Sequence, residues 1–141
     1  MTFLVERLVD LRRHLDHLDQ ISPRVPDRAA LRADLSLHND VLFSLLMVAQ
    51  LVIDIAGELA SRRGERFEDY VGAIRALSAD ERFSPSLVRE LERLPGFRNV
   101  VVHEYAVLDL DRAVEAVRRL EPIRQFVAIV AGMESEPPEQ I

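Results

Sequence analysis

Residues 41–53, VLFSLLMVAQLVI, carry no charge, and Asp40 and Asp54 bound the run. Wound as a helix, Val41, Leu42, Phe43, Leu45, Leu46, Met47, Val48, Leu51, Val52 and Ile53 cover nearly the whole circumference. A helix that is apolar all round is one surrounded by protein. The run falls short of the roughly 20 apolar residues a membrane span needs. This helix must therefore sit at the centre of a bundle, or lend its remaining face to a second copy of the chain. Packing alone predicts a homodimer.

The other segments supply what would surround it. Leu4, Leu8, Leu11, Leu15 and Leu18 recur at alternating fours and threes, the seam of an amphipathic first helix. Pro23 and Pro26 break it. A second helix is expected from about Arg28 to Arg63, with room for a bend, N-capped by Asp27. A short third helix covers about Glu68 to Leu77. Ser78 and Glu81 have capping-box spacing, and Ser84-Pro85 is a second start signal. A fourth helix runs from about Pro85 to Tyr105, disturbed near Pro95-Gly96. Asp109 or Asp111 begins a fifth, kinked at Pro122. No strand alternation or repeat is visible, so the class is all-α: an up-and-down bundle of four to five helices. One domain over residues 1–133 and a flexible polar tail over 134–141 account for the 141 residues.

Composition removes several kinds of chemistry. Cysteine is absent, which excludes disulfides, thiolate zinc sites, iron–sulfur clusters and a cysteine nucleophile. All 18 basic residues are arginine, so every cation can make planar, bidentate contacts to carboxylate or phosphate. The net charge of −6 argues against a broad electrostatic footprint on nucleic acid, though not against a local site for one phosphate. Glu6 and Arg7 interrupt any signal-like apolar stretch, so a soluble cytoplasmic protein is expected. His14 and His17 are three apart, a spacing metal ligands use, but no third ligand converges on them and a solvated face is the better reading. His38 beside Asp40 is weaker still. Arg12-Arg13, Arg62-Arg63 and Arg118-Arg119 read as solvated helix faces.

One stretch departs from the bundle pattern: GFRNVVVHEYAVLD, Gly96 to Asp109. At about 100° per residue, Asn99 lies about 100° from Arg98, Val102 about 40°, His103 about 140° and Tyr105 about 340°. A permanent cation, an amide, an imidazole and a phenol therefore share an arc of about 160°. Histidine titrates near neutral pH and can move a proton. Arginine keeps its charge and can stabilise negative charge growing on a phosphoryl group. RNA brings its own nucleophile, the 2′-hydroxyl. A lone histidine can be only acid or base at one instant, so a second from a partner copy would complete the pair.

The RNVVVHEY stretch resembles the Arg-x4-His-x-Tyr signature of the HepT-like ribonuclease toxins, a branch of the HEPN superfamily. The leucine-patterned first helix, the long apolar second helix, the GFRN lead-in and the Asp-rich start of the last helix are similar to that layout over roughly Phe3 to Met133. The resemblance implies the toxin of a type VII-like toxin–antitoxin pair. Such a toxin is a homodimer that cuts RNA without metal or cofactor across a cleft between two motifs. It implies Arg98 and His103 as the catalytic pair, Asn99 as their support, and Tyr105 as the tyrosine that an MntA-like nucleotidyltransferase antitoxin modifies with AMP. Residues alone leave two other readings open. One is a non-catalytic helical partner or substrate-binding subunit of a nucleotidyltransferase; the other is an antitoxin or scaffold whose tyrosine is its one functional group.

Overall fold

Asp34 leaves the helical region (φ −135°, ψ 103°), and its carboxylate accepts from the Leu37 amide at 3.1 Å. The expected second helix is therefore two: α2 (Arg28–Ala33), capped by Asp27, and α3 (Leu35–Arg62). The computed structural model describes residues 3–135, and among them all ordered structure is helical. Around α3 lie α1 (Phe3–Ile21), α4 (Tyr70–Arg75), α5 (Pro85–Leu91), α6 (Arg93–His103), α7 (Leu110–Arg118) and α8 (Glu121–Glu134). Short 3-10 turns follow α1, α4 and α6.

The five expected segments are present, but three of them are broken in two. The fourth breaks at Glu92, three residues ahead of Pro95. A proline ring clashes with the carbonyl four residues earlier and offers it no donor, so the break must fall there. Pro95 then sits in the first turn of α6, where no donor is missed. Pro122 likewise lies in the first turn of α8 and marks a break rather than a kink. Ser84 caps α5, accepting from the Leu87 amide at 3.2 Å. Ser78 lies inside the turn after α4, so the box with Glu81 does not form.

The centre of the bundle is α3, which packs on α1, α4, α6 and α7. Val41, Val48, Val52, Ile55 and Ala56 are wholly or almost wholly buried. Each large apolar side chain so buried contributes about 1.5–3 kcal/mol. The leucine seam of α1 is buried in full. By length and hydropathy alone α3 could cross a bilayer, yet 61% of its most apolar window is buried inside the bundle. Its burial is not complete all round: Phe43 is 57% exposed, and Leu46, Met47 and Gln50 are half-buried. Of the residues expected to form a tail, Glu134 closes α8 and accepts from Arg62 at 2.9 Å. Residues 136–141 lie outside the described residues.

Candidate active site

The cation comes first. Arg98 projects from α6 toward α3, half-buried. Its Nε donates to Gln50 Oε1 at 3.0 Å and its Nη1 to Asn99 Oδ1 at 3.1 Å. The Gln50 amide donates in turn to Asp54 Oδ1 at 2.8 Å, one turn further along α3. Beneath the guanidinium lies the Tyr70 ring, 5.2 Å from Cζ to centroid. Two hydrogen bonds and a ring face thus hold the planar group, and its Nη2 has no hydrogen-bond partner among the described residues.

Five residues on, α6 ends at His103, which is exposed. Glu104 leaves the helical region (φ −132°, ψ 35°), and residues 105–107 form a 3-10 turn. The expectation that Tyr105 continues the helical arc therefore fails. Arg98, Asn99 and His103 share α6; Tyr105 is delivered by the turn that follows. Its phenol is 49% exposed and hydrogen-bonds back to α3, with His38 Nδ1 at 3.1 Å and Asn39 Oδ1 at 3.4 Å. The His38 and Tyr105 rings meet edge to face, centroids 5.8 Å apart.

The face of α3 ties these groups together. Asn39 and Phe43 are one turn apart and Gln50 is two turns beyond, all within about 40° of one line on the helix. Asn39 meets Tyr105 and Gln50 meets Arg98, so exposed Phe43 lies between the two contact points. Val102 and Val107 are also exposed, at 44% and 76%. The polar groups of the site are thus accompanied by three exposed apolar side chains, and the Phe43 ring also meets His14 of α1 edge to face, centroids 5.9 Å apart.

Gln50, Asp54, Tyr70, His38 and Asn39 were not singled out for this site by sequence reasoning. Gln50 had a signal: apart from Ser44 it is the one polar residue in an otherwise apolar run, and a polar group there needs a partner. Ser44 is buried and meets His14 Nδ1 at 3.1 Å. Burial, and Arg13 next to it, hold the His14 imidazole below its usual pKa. His17 donates to Asp40 at 2.8 Å, so the two histidines of α1 have separate partners. Among the described residues no three His, Asp or Glu side chains group as metal ligands. Five of the paired arginines are engaged: Arg13 with Asp10, Arg62 with Glu58 and Glu134, Arg63 with Asp80, Arg119 with Glu115, and Arg118 with the Pro26 carbonyl.

A family model described as ribonuclease HepT-like matches residues 11–130, nearly the whole bundle. The chain belongs to the HepT-like ribonuclease family. It is 22% identical over 129 residues to the mRNA nuclease HepT of Shewanella oneidensis, covering 90% of this chain and 95% of that one. It is 26% identical over 113 residues to a provisionally named RNase of Archaeoglobus fulgidus, covering 79% and 86%. Among solved structures this HepT-like chain superposes on the tri-AMPylated Shewanella oneidensis HEPN toxin in complex with MNT antitoxin. The TM-score is 0.80 at 22% identity, over 94% of this chain and 99% of the other. A toxin–antitoxin structure with AMP-PNP gives the same TM-score at 21% identity, covering 92% and 97%. At these identities the superpositions establish the HEPN-type bundle.

Proposed function

We propose that this chain is the toxin of a toxin–antitoxin pair, a metal-independent endoribonuclease that acts in the cytoplasm as a homodimer. The observation that carries the reading is Arg98. It is held by Gln50, Asn99 and Tyr70, its Nη2 has no hydrogen-bond partner among the described residues, and exposed His103 stands on the same helix. In strand cleavage the 2′-oxygen of a ribose attacks the adjacent phosphorus and the 5′-oxygen leaves. His103 of one copy takes the 2′-hydroxyl proton, and His103 of the second copy protonates the leaving oxygen. Arg98 binds the phosphoryl oxygens and stabilises the charge that grows on them. Asn99 limits the freedom of the guanidinium. The exposed side chains of Phe43, Val102 and Val107 are the apolar surface that the second copy covers in this reading.

In the same reading Tyr105 is the control point. A nucleotidyltransferase antitoxin of the MntA type transfers AMP to its phenol, and the bulky anion then repels an incoming RNA backbone. The family membership and the AMPylated state named for the Shewanella oneidensis relative support this.

The test is cleavage of RNA by the purified protein with chelator present. Arg98→Ala and His103→Ala should each reduce cleavage by about a hundredfold or more. Wild-type-like cleavage by His103→Ala removes the mechanism, and loss on adding chelator points to a metal. Intact mass after co-expression with the antitoxin should rise by one or more AMP units, and Tyr105→Phe should abolish the rise. A chain that binds the nucleotidyltransferase but cuts no RNA would be the non-catalytic partner instead.

A further inference from the structure

Beside Arg98 the surface opens into a cleft of about 370 Å³ that the mechanism above does not use. Phe3 and Arg7 of α1, Asp54 and Gly57 of α3, Phe67, and Tyr70 at the start of α4 line it. Of eight aromatic residues in the chain, three stand around this opening, each about two-fifths exposed. The core draws on others, Phe83, Phe97 and Phe126. Arg7 lies over the Phe3 ring at 4.5 Å, so the rim is cationic as well as aromatic. Two links join the cleft to the phosphate-handling arginine. Tyr70 lines the cleft and carries the guanidinium, and Asp54 lines it while anchoring Gln50.

Exposed rings next to a phosphate clamp are what an unstacked RNA base requires, since every base offers a π-face. The one carboxylate of the lining then reads the base's edge. Asp54 Oδ1 is occupied by Gln50, and Oδ2 has no hydrogen-bond partner among the described residues and can accept. Guanine presents N1–H and N2–H side by side to such an acceptor. Uracil flanks its single N–H with two carbonyls, which a carboxylate repels. We propose that this cleft is a subsite for one RNA base adjoining the scissile phosphate, selecting guanine most and uracil least. The inference rests on the ribonuclease reading above.

The experiment measures KM and kcat on short oligoribonucleotides carrying each of the four bases on either side of the cleaved linkage. The wild type should favour guanine over uracil at one flank by about tenfold or more. Phe67→Ala should raise KM by about tenfold and flatten that preference, while Phe67→Tyr retains both. Gly57→Leu fills the cleft from the other side: a Cβ there already comes within 3.2 Å of Phe67 Cζ, and leucine is a good helix former. It should raise KM without removing a ring. Asp54→Asn should lower the guanine-to-uracil ratio, a readout that cancels any loss of Arg98 positioning.

Equal use of all four bases overturns the proposal. So does an unchanged KM and preference in both Phe67→Ala and Gly57→Leu. Normal cleavage by those variants with lost capture of the nucleotidyltransferase would assign the cleft to a protein partner and overturn it too. If the wild type cuts no RNA, the nuclease reading falls separately. A 2′-O-methyl oligonucleotide then decides the subsite, because equal affinity for the wild type and Phe67→Ala refutes it.

Discussion

Arg98 Nε donates to Gln50 Oε1 at 3.0 Å, joining the proposed phosphate clamp on α6 to the most buried helix of the bundle. Gln50 is fixed in turn by Asp54, so the orientation of the guanidinium is set from the core side. Gln50→Leu keeps the side chain's bulk and removes this tether. Losing one hydrogen bond to a charged group costs about 1.5–3 kcal/mol. The expected outcome is a fall in kcat of about tenfold or more with KM changed about twofold or less. Single-turnover cleavage rates would show this, and a change confined to KM would mean that Gln50 does not position Arg98.

His38 lies within hydrogen-bond distance of the Tyr105 phenol and is the nearest group able to take its proton. When the phenol oxygen attacks the α-phosphorus of a nucleoside triphosphate, that proton must leave. His38→Ala should slow AMP transfer to Tyr105 by about tenfold, an effect at the low end of general-base contributions. Mass spectrometry over time in the presence of the nucleotidyltransferase measures it. An unaltered rate at neutral pH would mean that the proton goes elsewhere.

Phe43 is 57% exposed at the centre of the α3 face that meets both Tyr105 and Arg98. If a second copy covers it, Phe43→Asp places a charge in the middle of the interface. Central anchors of this kind are worth at least about 2 kcal/mol, or roughly thirtyfold in Kd. Sedimentation should show monomer at concentrations where the wild type is dimeric. Retention of the dimer would move the interface to another face.

Asp80 links the end of α3 to the loop ahead of α5. It accepts from Arg63 at 3.1 Å and from Arg82 at 2.7 Å. The hydrogen bonds from Arg82, more than Arg63's charge, hold its carboxyl at about 2 against an ordinary 3.8. A lowered folded-state pKa stabilises the fold fully above the unfolded value and ceases to do so as pH falls through the folded one. The contribution should therefore be complete above about pH 4 and lost by about pH 2. After solvent screening of the arginines it should amount to about 1 kcal/mol. Urea unfolding from pH 5 to pH 2 tests this: the gap between wild type and Asp80→Asn should narrow as the solution is acidified.

Most of the helical frame was legible in the sequence because each helix carries its own signal. The leucine spacing of α1, the uncharged run of α3, and the caps at Asp27, Ser84 and Asp109 are local features with local consequences. The family also showed in a short span, since Arg98, Asn99, His103 and Tyr105 are close in the chain. Extrapolating one helix through Tyr105 failed: the helix ends at Glu104, and the phenol's partners, His38 and Asn39, lie on α3, 67 and 66 residues away, where no local pattern points.

What the sequence by itself determined is the class of the bundle and the chemical kinds available to the motif, because periodicity and side-chain identity do not depend on distant partners. Only the tertiary structure decided how that chemistry is held. Gln50, Asp54, Tyr70 and His38 reach the motif through packing of α3, α4 and α6, and contacts between residues far apart in the chain leave no periodic trace in it.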